Sequence, residues 1–95
     1  MLFWINSKML VKYSKKFIKE FEKCPAGIKN AFKTRLEIFL DNQYHPLLGN
    51  HNLKGKLKDR YSINISGDYR AIFREIEPNS IVCFIAIGSH SELYS

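Results

Sequence analysis

Long apolar runs are missing from this chain. No stretch approaches the ~18 residues that a membrane-spanning helix needs, so no membrane partner is expected. Cysteine is scarce: Cys24 and Cys83 are the only two in 95 residues, and they form no C-x-x-C pair. Two cysteines cannot complete a tetrahedral zinc site without distant histidines, so neither metal nor cofactor is expected. A reduced, cytoplasmic setting is the simplest inference. P-loop and zinc-finger spacings do not occur. Repeats, low-complexity tracts and linkers do not occur either. Acidic residues are outnumbered nine to fifteen by Lys and Arg, a formal charge of +6. That balance suits an anionic partner, nucleic acid or an acidic protein, although solubility alone explains it equally well.

What is present fits one globular domain with a modest core, at 45% apolar residues. The opening "MLFWINSK" offers only five apolar residues before Asn6, too few for a signal-peptide core. Met9 opens a complete strand start, so residues 1–8 are expected to be an N-terminal extension and 9–95 a single domain. Residues 8–13 read as a short strand. Ser14 can cap a helix over 15–23, with Phe17, Ile18 and Phe21 on one face and lysines on the other. "CPAG" breaks it, and a second helix runs from about Pro25 to Asn42 with Ile28, Phe32, Leu36, Phe39 and Leu40 as its stripe. Residues 43–56 read as irregular, with His45 as a turn residue.

Three strands follow. "RYSINIS" alternates, placing Tyr61, Ile63 and Ile65 opposite Arg60, Ser62, Asn64 and Ser66. "YRAIFREI" sets Arg70, Ile72 and Arg74 against Tyr69, Ala71 and Phe73. "IVCFIAI" is apolar on both faces, so it reads as central, with Cys83 a small core residue. The expected fold is α+β, β-α-α-β-β-β: a helical hairpin on one face of a mainly antiparallel four-stranded sheet.

The helices leave one sheet face open. It carries a polar, basic strip bounded by His51 and His90, and such a strip suits a phosphodiester. Cleavage of RNA by its own 2′-hydroxyl needs a base, a clamp for the growing phosphate charge and an acid for the 5′-oxygen. Histidine suits the proton transfers because its ordinary pKa, ~6.5, lies near neutrality. Arginine suits the phosphate because its planar fork binds two oxygens. The catalytic set would be His51, Asp68, Arg70 and His90, with Asp68 orienting a histidine and no metal required. Lys54, Lys56, Arg60, Asn64 and Arg74 would bind RNA, and Tyr94 could stack on an unpaired base. Taken singly, each has a plain structural explanation: loop histidines, a turn aspartate, a strand-surface arginine.

"HNLKGKLKDRYSINISGDYRAIF" followed by "IAIGSHSELY" changes that weighing. From Met9 to Tyr94 the chain resembles the RelE/ParE toxin superfamily, in its RelE/YafQ-like branch. The shared features are a loop with His51, Leu53 and Gly55, a "DYR" entering a strand (Asp68, Tyr69, Arg70), Gly88-x-His90 after the last strand, and Tyr94. The resemblance implies a toxin of a type II toxin–antitoxin pair, an endoribonuclease that enters the ribosomal A site and cuts mRNA there. It also implies a hetero-oligomer with a cognate antitoxin. By the same resemblance His51, Asp68 and His90 fall on YafQ functional positions, and Arg70 on a RelE arginine. Ser62 and Asn64 stand where RelE has a lysine pair, and Asn64 where YafQ has a histidine. The alternatives are a non-catalytic ParE-like gyrase poison, or an inactive homologue that only binds its antitoxin. Deletion of residues 89–95 should abolish growth inhibition in bacteria while leaving the circular dichroism spectrum largely unchanged.

Overall fold

The computed structural model describes residues 9–55 and 58–94. The expected extension, residues 1–8, lies outside them, as does Lys56. The elements are β1 (Leu10–Tyr13), α1 (Lys15–Glu22), α2 (Ala26–Asp41), a 3₁₀ turn (Pro46–Leu48), β2 (His51–Asn52), β3 (Arg60–Ser66), β4 (Tyr69–Glu77), β5 (Ile81–Ser89) and α3 (His90–Tyr94). The strands form one sheet in the order β1-β5-β4-β3-β2. β1 runs parallel to β5 and every other pairing is antiparallel.

This is the expected α+β fold, with one addition. Four strands were expected; the supposedly irregular stretch 43–56 contributes a fifth, β2, and the 3₁₀ turn. β2 is only two residues long and pairs His51 with Ser62 and Asn52 with Tyr61, too short for period-2 patterning to reveal it. His45 is the turn residue expected: its Nδ1 accepts the Leu47 N–H at 3.1 Å and caps the 3₁₀ turn.

The helical hairpin lies on the sheet face that carries Ile63, Ile65, Ala71, Phe73, Val82 and Phe84. Phe17 of α1 and Phe32 and Phe39 of α2 are its buried counterparts. Phe84 is fully buried, and its ring centroid lies 5.3–6.2 Å from those of Tyr13, Phe17, Phe32, Phe39 and Phe73. Tilted and edge-on contacts at such separations add to simple area burial. Leu40 and Ile18, expected in the apolar stripes, are 38% and 47% exposed, because each sits at the margin of its helix's covered face.

β5 does not keep one phase. Phe73 pairs with Phe84 but Ile72 pairs with Ala86, so Ile85 is an extra residue. A bulge of this kind shifts the alternation of side chains by one. Val82 and Phe84 face the helices before it and Ile87 after it, while Ala86 joins Ile72 on the other face. The freed backbone groups are used. The Ser14 hydroxyl donates to the Ile85 carbonyl at 3.2 Å and accepts the Phe17 N–H at 3.0 Å, which makes it the N-cap of α1. Past the end of β1, the Ile87 N–H donates to Glu20 Oε1 at 3.0 Å. α1 thereby covers the part of the β5 edge that β1 is too short to pair.

One cysteine expectation changes. Cys83 is only half-buried, on the side of β5 opposite Val82 and Phe84, and Cys24 at the α1–α2 junction is the cysteine in the core. Gly88 was expected after the last strand; it lies inside β5. Replacing Phe84 with Ala should cost about 3–5 kcal/mol of stability, as large-to-small changes in well-packed cores do, read from the midpoint of a urea unfolding curve.

Candidate functional site

With the helices on one face, the other face of β3–β5 carries the polar residues. The register sets them in rows across the strands: His51, Ser62, Ile72 and Ala86 in one, and Asn64, Arg70 and Gly88 in the next. Above these rows lies an open cleft of about 540 Å³ lined by Gly49, His51, Leu53, Ser62, Asn64, Arg70, His90 and Tyr94. β2 and β5 are three ladder spacings apart, roughly 14 Å, so the histidines approach the cleft from opposite rims.

His51 enters from the edge strand. Its Nδ1 lies 2.9 Å from the Gly49 carbonyl, which fixes the ring and leaves Nε2 toward other partners. Gly49 holds φ +53°, and a Cβ there would come within 2.5 Å of Asn64 Nδ2, so only glycine lets the loop pass over Asn64. Leu48, fully buried, nails the same loop to the core.

Arg70 leaves β4 in the middle of the cleft. Its Nη1 donates to the Gly67 carbonyl at 2.8 Å and the Tyr69 carbonyl at 3.1 Å, so the guanidinium is anchored to the β3–β4 turn. The remaining N–H groups of the fork can address an anion. Ser62 forms part of the cleft floor; it is fully buried, and its Oγ has no hydrogen-bond partner among the described residues.

His90 opens α3. The sequence S-H-S-E forms a capping box. Ser89 Oγ accepts the Glu92 N–H at 3.2 Å, and Glu92 Oε1 accepts the Ser89 N–H at 2.7 Å. The His90 N–H donates to the Asp68 carbonyl at 3.0 Å. Gly88 allows this helix to fold back closely, since a Cβ there would lie 3.0 Å from Glu92 Oε1. The His90 and Tyr94 rings, one helical turn apart, are 4.7 Å between centroids.

The structure therefore gathers His51, Asn64, Arg70, His90 and Tyr94 of the expected set into one cleft. Asp68 is not among the lining residues; its link to His90 runs through its backbone carbonyl, and its side chain is exposed in the turn. Lys54 is exposed in the loop after β2 and does not line the cleft. Arg60 and Arg74 pair across β3 and β4 farther along the same face. Sequence reasoning passed over Arg35, whose Nη1 lies 3.5 Å from the Asn64 carbonyl and also bonds the Leu47 carbonyl. It ties α2 to both the loop and the strand that shape the cleft. Its signal was a cation spaced three residues from Phe32 and four from Phe39, on the covered side of α2.

Cys24 is not poised as a nucleophile. Burial pushes the Cys24 thiol up, Glu92 and Glu20 push it further, and Lys29 opposes them. Its Sγ donates to the Glu20 carbonyl at 3.4 Å. Among the described residues no group of histidine, cysteine and carboxylate side chains is arranged to hold a metal ion, and no helix is long and apolar enough to cross a membrane. Imidazoles on two rims with a guanidinium between them can move protons at either side of a phosphate and hold its charge.

The family model for the ParE toxin of the type II toxin–antitoxin system parDE matches residues 11–94. No curated protein matches the sequence. Among solved structures, YafQ from E. coli strain BL21(DE3) is 17% identical, with a TM-score of 0.73 over 92% of this chain and 99% of that one. The YoeB/ParE toxin from Agrobacterium tumefaciens is 15% identical, with a TM-score of 0.73 over 86% and 99%. The RelB–RelE antitoxin–toxin complex from Methanococcus jannaschii is 20% identical, with a TM-score of 0.67 over 87% and 94%. These likenesses establish the fold.

Replacing Ser89 with Ala should lower stability by about 1 kcal/mol, the usual worth of an N-cap. It should also weaken the nuclear Overhauser contacts between the His90 and Tyr94 rings, because α3 would fray.

Proposed function

The chain belongs to the ParE toxin family of type II toxin–antitoxin systems, within the RelE/ParE superfamily, and from the residues gathered in its cleft we propose that it is a ribosome-dependent endoribonuclease. The observation that carries the proposal is the cleft in which His51, Arg70 and His90 meet beside Asn64 and Tyr94. A protein that only binds a partner has no need of two imidazoles flanking a guanidinium.

In this reading mRNA lies across β3–β5 with the scissile phosphate at Arg70. His51 takes the proton of the 2′-hydroxyl, whose oxygen attacks phosphorus. Arg70 neutralises the charge that gathers on the non-bridging oxygens, where a fixed cation is worth most. His90, as imidazolium, gives its proton to the departing 5′-oxygen. The products are a 2′,3′-cyclic phosphate and a 5′-hydroxyl. Asp68 is a positioning residue, holding the His90 backbone through its carbonyl. Tyr94 offers a ring for a base to stack on. Lys54, Arg60 and Arg74 extend the attraction for phosphate beyond the cleft.

The partner that holds such a toxin in check would be an antitoxin. The M. jannaschii relative was crystallised as an antitoxin–toxin complex, and a formal charge of +6 suits an acidic segment laid over the basic face. A second reading, a gyrase poison that cuts no RNA, is favoured by the family model itself, which is that of ParE.

One experiment separates the two. Expression in bacteria should arrest translation, and primer extension after brief induction should show new mRNA ends within coding regions. Arg70→Ala combined with His90→Ala should remove those ends and restore growth. Growth arrest with intact mRNA and broken chromosomal DNA decides for the gyrase reading; a double variant as toxic as the parent shows that other residues act.

A further inference from the structure

A second hollow lies beside the cleft on the same face. It measures about 330 Å³ and is lined by Lys16, Arg60 and Arg74 around a floor that includes Ile72, Ala86 and Leu93. Arg60 and Arg74 are direct cross-strand partners. Like charges placed opposite each other in an antiparallel ladder are destabilising. The only carboxylate within ion-pair distance of them among the described residues is Asp59, 3.8 Å from the Nε of each, and it is 62% exposed. Both distances exceed a hydrogen bond, and Arg60 Nε is buried with no hydrogen-bond partner among the described residues. Lys16 reaches the rim from α1, where it pairs with Glu20 at 3.7 Å. Two arginines are thus held together at a cost and left short of acceptors, above an apolar floor.

We infer that this hollow is a second nucleotide subsite for single-stranded RNA: Arg60 and Arg74 take a phosphate, and the base rests on Ile72, Ala86 and Leu93. The inference rests on the reading of the cleft as the place where RNA is cut. Arg74 stands four residues from Arg70 along β4, roughly 13 Å, a short step along an extended strand. α3 divides the two hollows, giving Tyr94 to one and Leu93 to the other. The strand would therefore be gripped on both sides of α3, fixing which phosphate rests against Arg70. The subsite would set register along the message while the cleft does the chemistry.

The test is binding of a labelled single-stranded oligoribonucleotide whose 2′-hydroxyls are replaced by 2′-methoxy groups, followed by fluorescence anisotropy over a series of salt concentrations. One negative charge taken up at a single-stranded phosphate contributes about 0.7 to the slope of log K against log salt. Arg74→Gln should lower that slope by about this amount and erase the gain in affinity that a longer oligonucleotide has over a shorter one. Arg74→Lys should keep the slope. Arg74 is exposed, and an unchanged thermal midpoint separates lost binding from lost fold. An Arg74→Gln protein with the parental slope and length dependence overturns the subsite, and so does a parent that binds no oligonucleotide. Binding that depends on Arg74 in a protein that leaves mRNA intact keeps the subsite and removes the ribonuclease reading. Cleavage in cells with an Arg74-independent slope does the reverse.

Discussion

The burial of Phe84 at the junction of β1, α1, α2 and β4 is the contact on which the rest of this fold depends. One ring meets five others, drawn from β1, α1, α2 and β4. In a chain of this size, with no disulfide between its cysteines, such a hub is what makes the sheet and the hairpin one cooperative unit. The next residue, Ile85, is the bulge. Phe84 can therefore point fully into the core while the strand beyond it changes phase. Ser14 and Glu20 then satisfy the backbone groups that the short β1 leaves unpaired. Removing either side chain would expose a sheet edge, so α1 is a cover as well as a core element.

That change of phase sets the geometry of the open face. Ile87 stays in the core, while Ala86 and Gly88 offer small surfaces to the face where α3 folds back. The capping box of Ser89 and Glu92 and the Asp68 carbonyl then fix where His90 emerges. On the opposite rim, Leu48, Gly49 and Arg35 fix His51 and Asn64 by packing, by a left-handed backbone and by a guanidinium bonded to the Leu47 and Asn64 carbonyls. The proposed catalytic groups thus stand on anchored backbone. The cations of the face fall into two sets: Arg70 in the cleft, and Arg60 with Arg74 beyond it. A single strand of RNA meeting both would be held in register before any bond is broken.

Much of this was legible in the amino-acid sequence, for reasons that differ by element. The alternation in "RYSINIS" and "YRAIFREI" fixed which side chains of β3 and β4 face the core, because a strand's period is two and the pairing of the two strands is regular from Arg60 to Asn64. The same rule failed in β5, where the run is apolar on both faces and hides the bulge at Ile85. That failure is why Cys83 was expected in the core and why Gly88 was expected beyond the strand. β2 was invisible because two residues carry no period, and its existence depends on pairing with Ser62 and Tyr61. Of the site, the residues that gather in the cleft were those carried by strands and by the glycine-x-histidine ending. Asp68 was expected to act through its side chain; its hydrogen bond to His90 is made by the backbone, which every residue type shares. Arg35 escaped notice because its partners are carbonyls of a loop and a strand, distant in sequence.

The central claim is that the cleft between His51 and His90 cuts RNA through the 2′-hydroxyl. The most direct measurement is the chemistry of the new RNA ends formed on ribosomes by the purified toxin. Internal attack predicts a 2′,3′-cyclic phosphate upstream of the break and a 5′-hydroxyl downstream, the latter accepted by a kinase without prior phosphatase treatment. Fragments that carry a 5′-phosphate, or messages that stay whole on ribosomes saturated with the toxin, would contradict it.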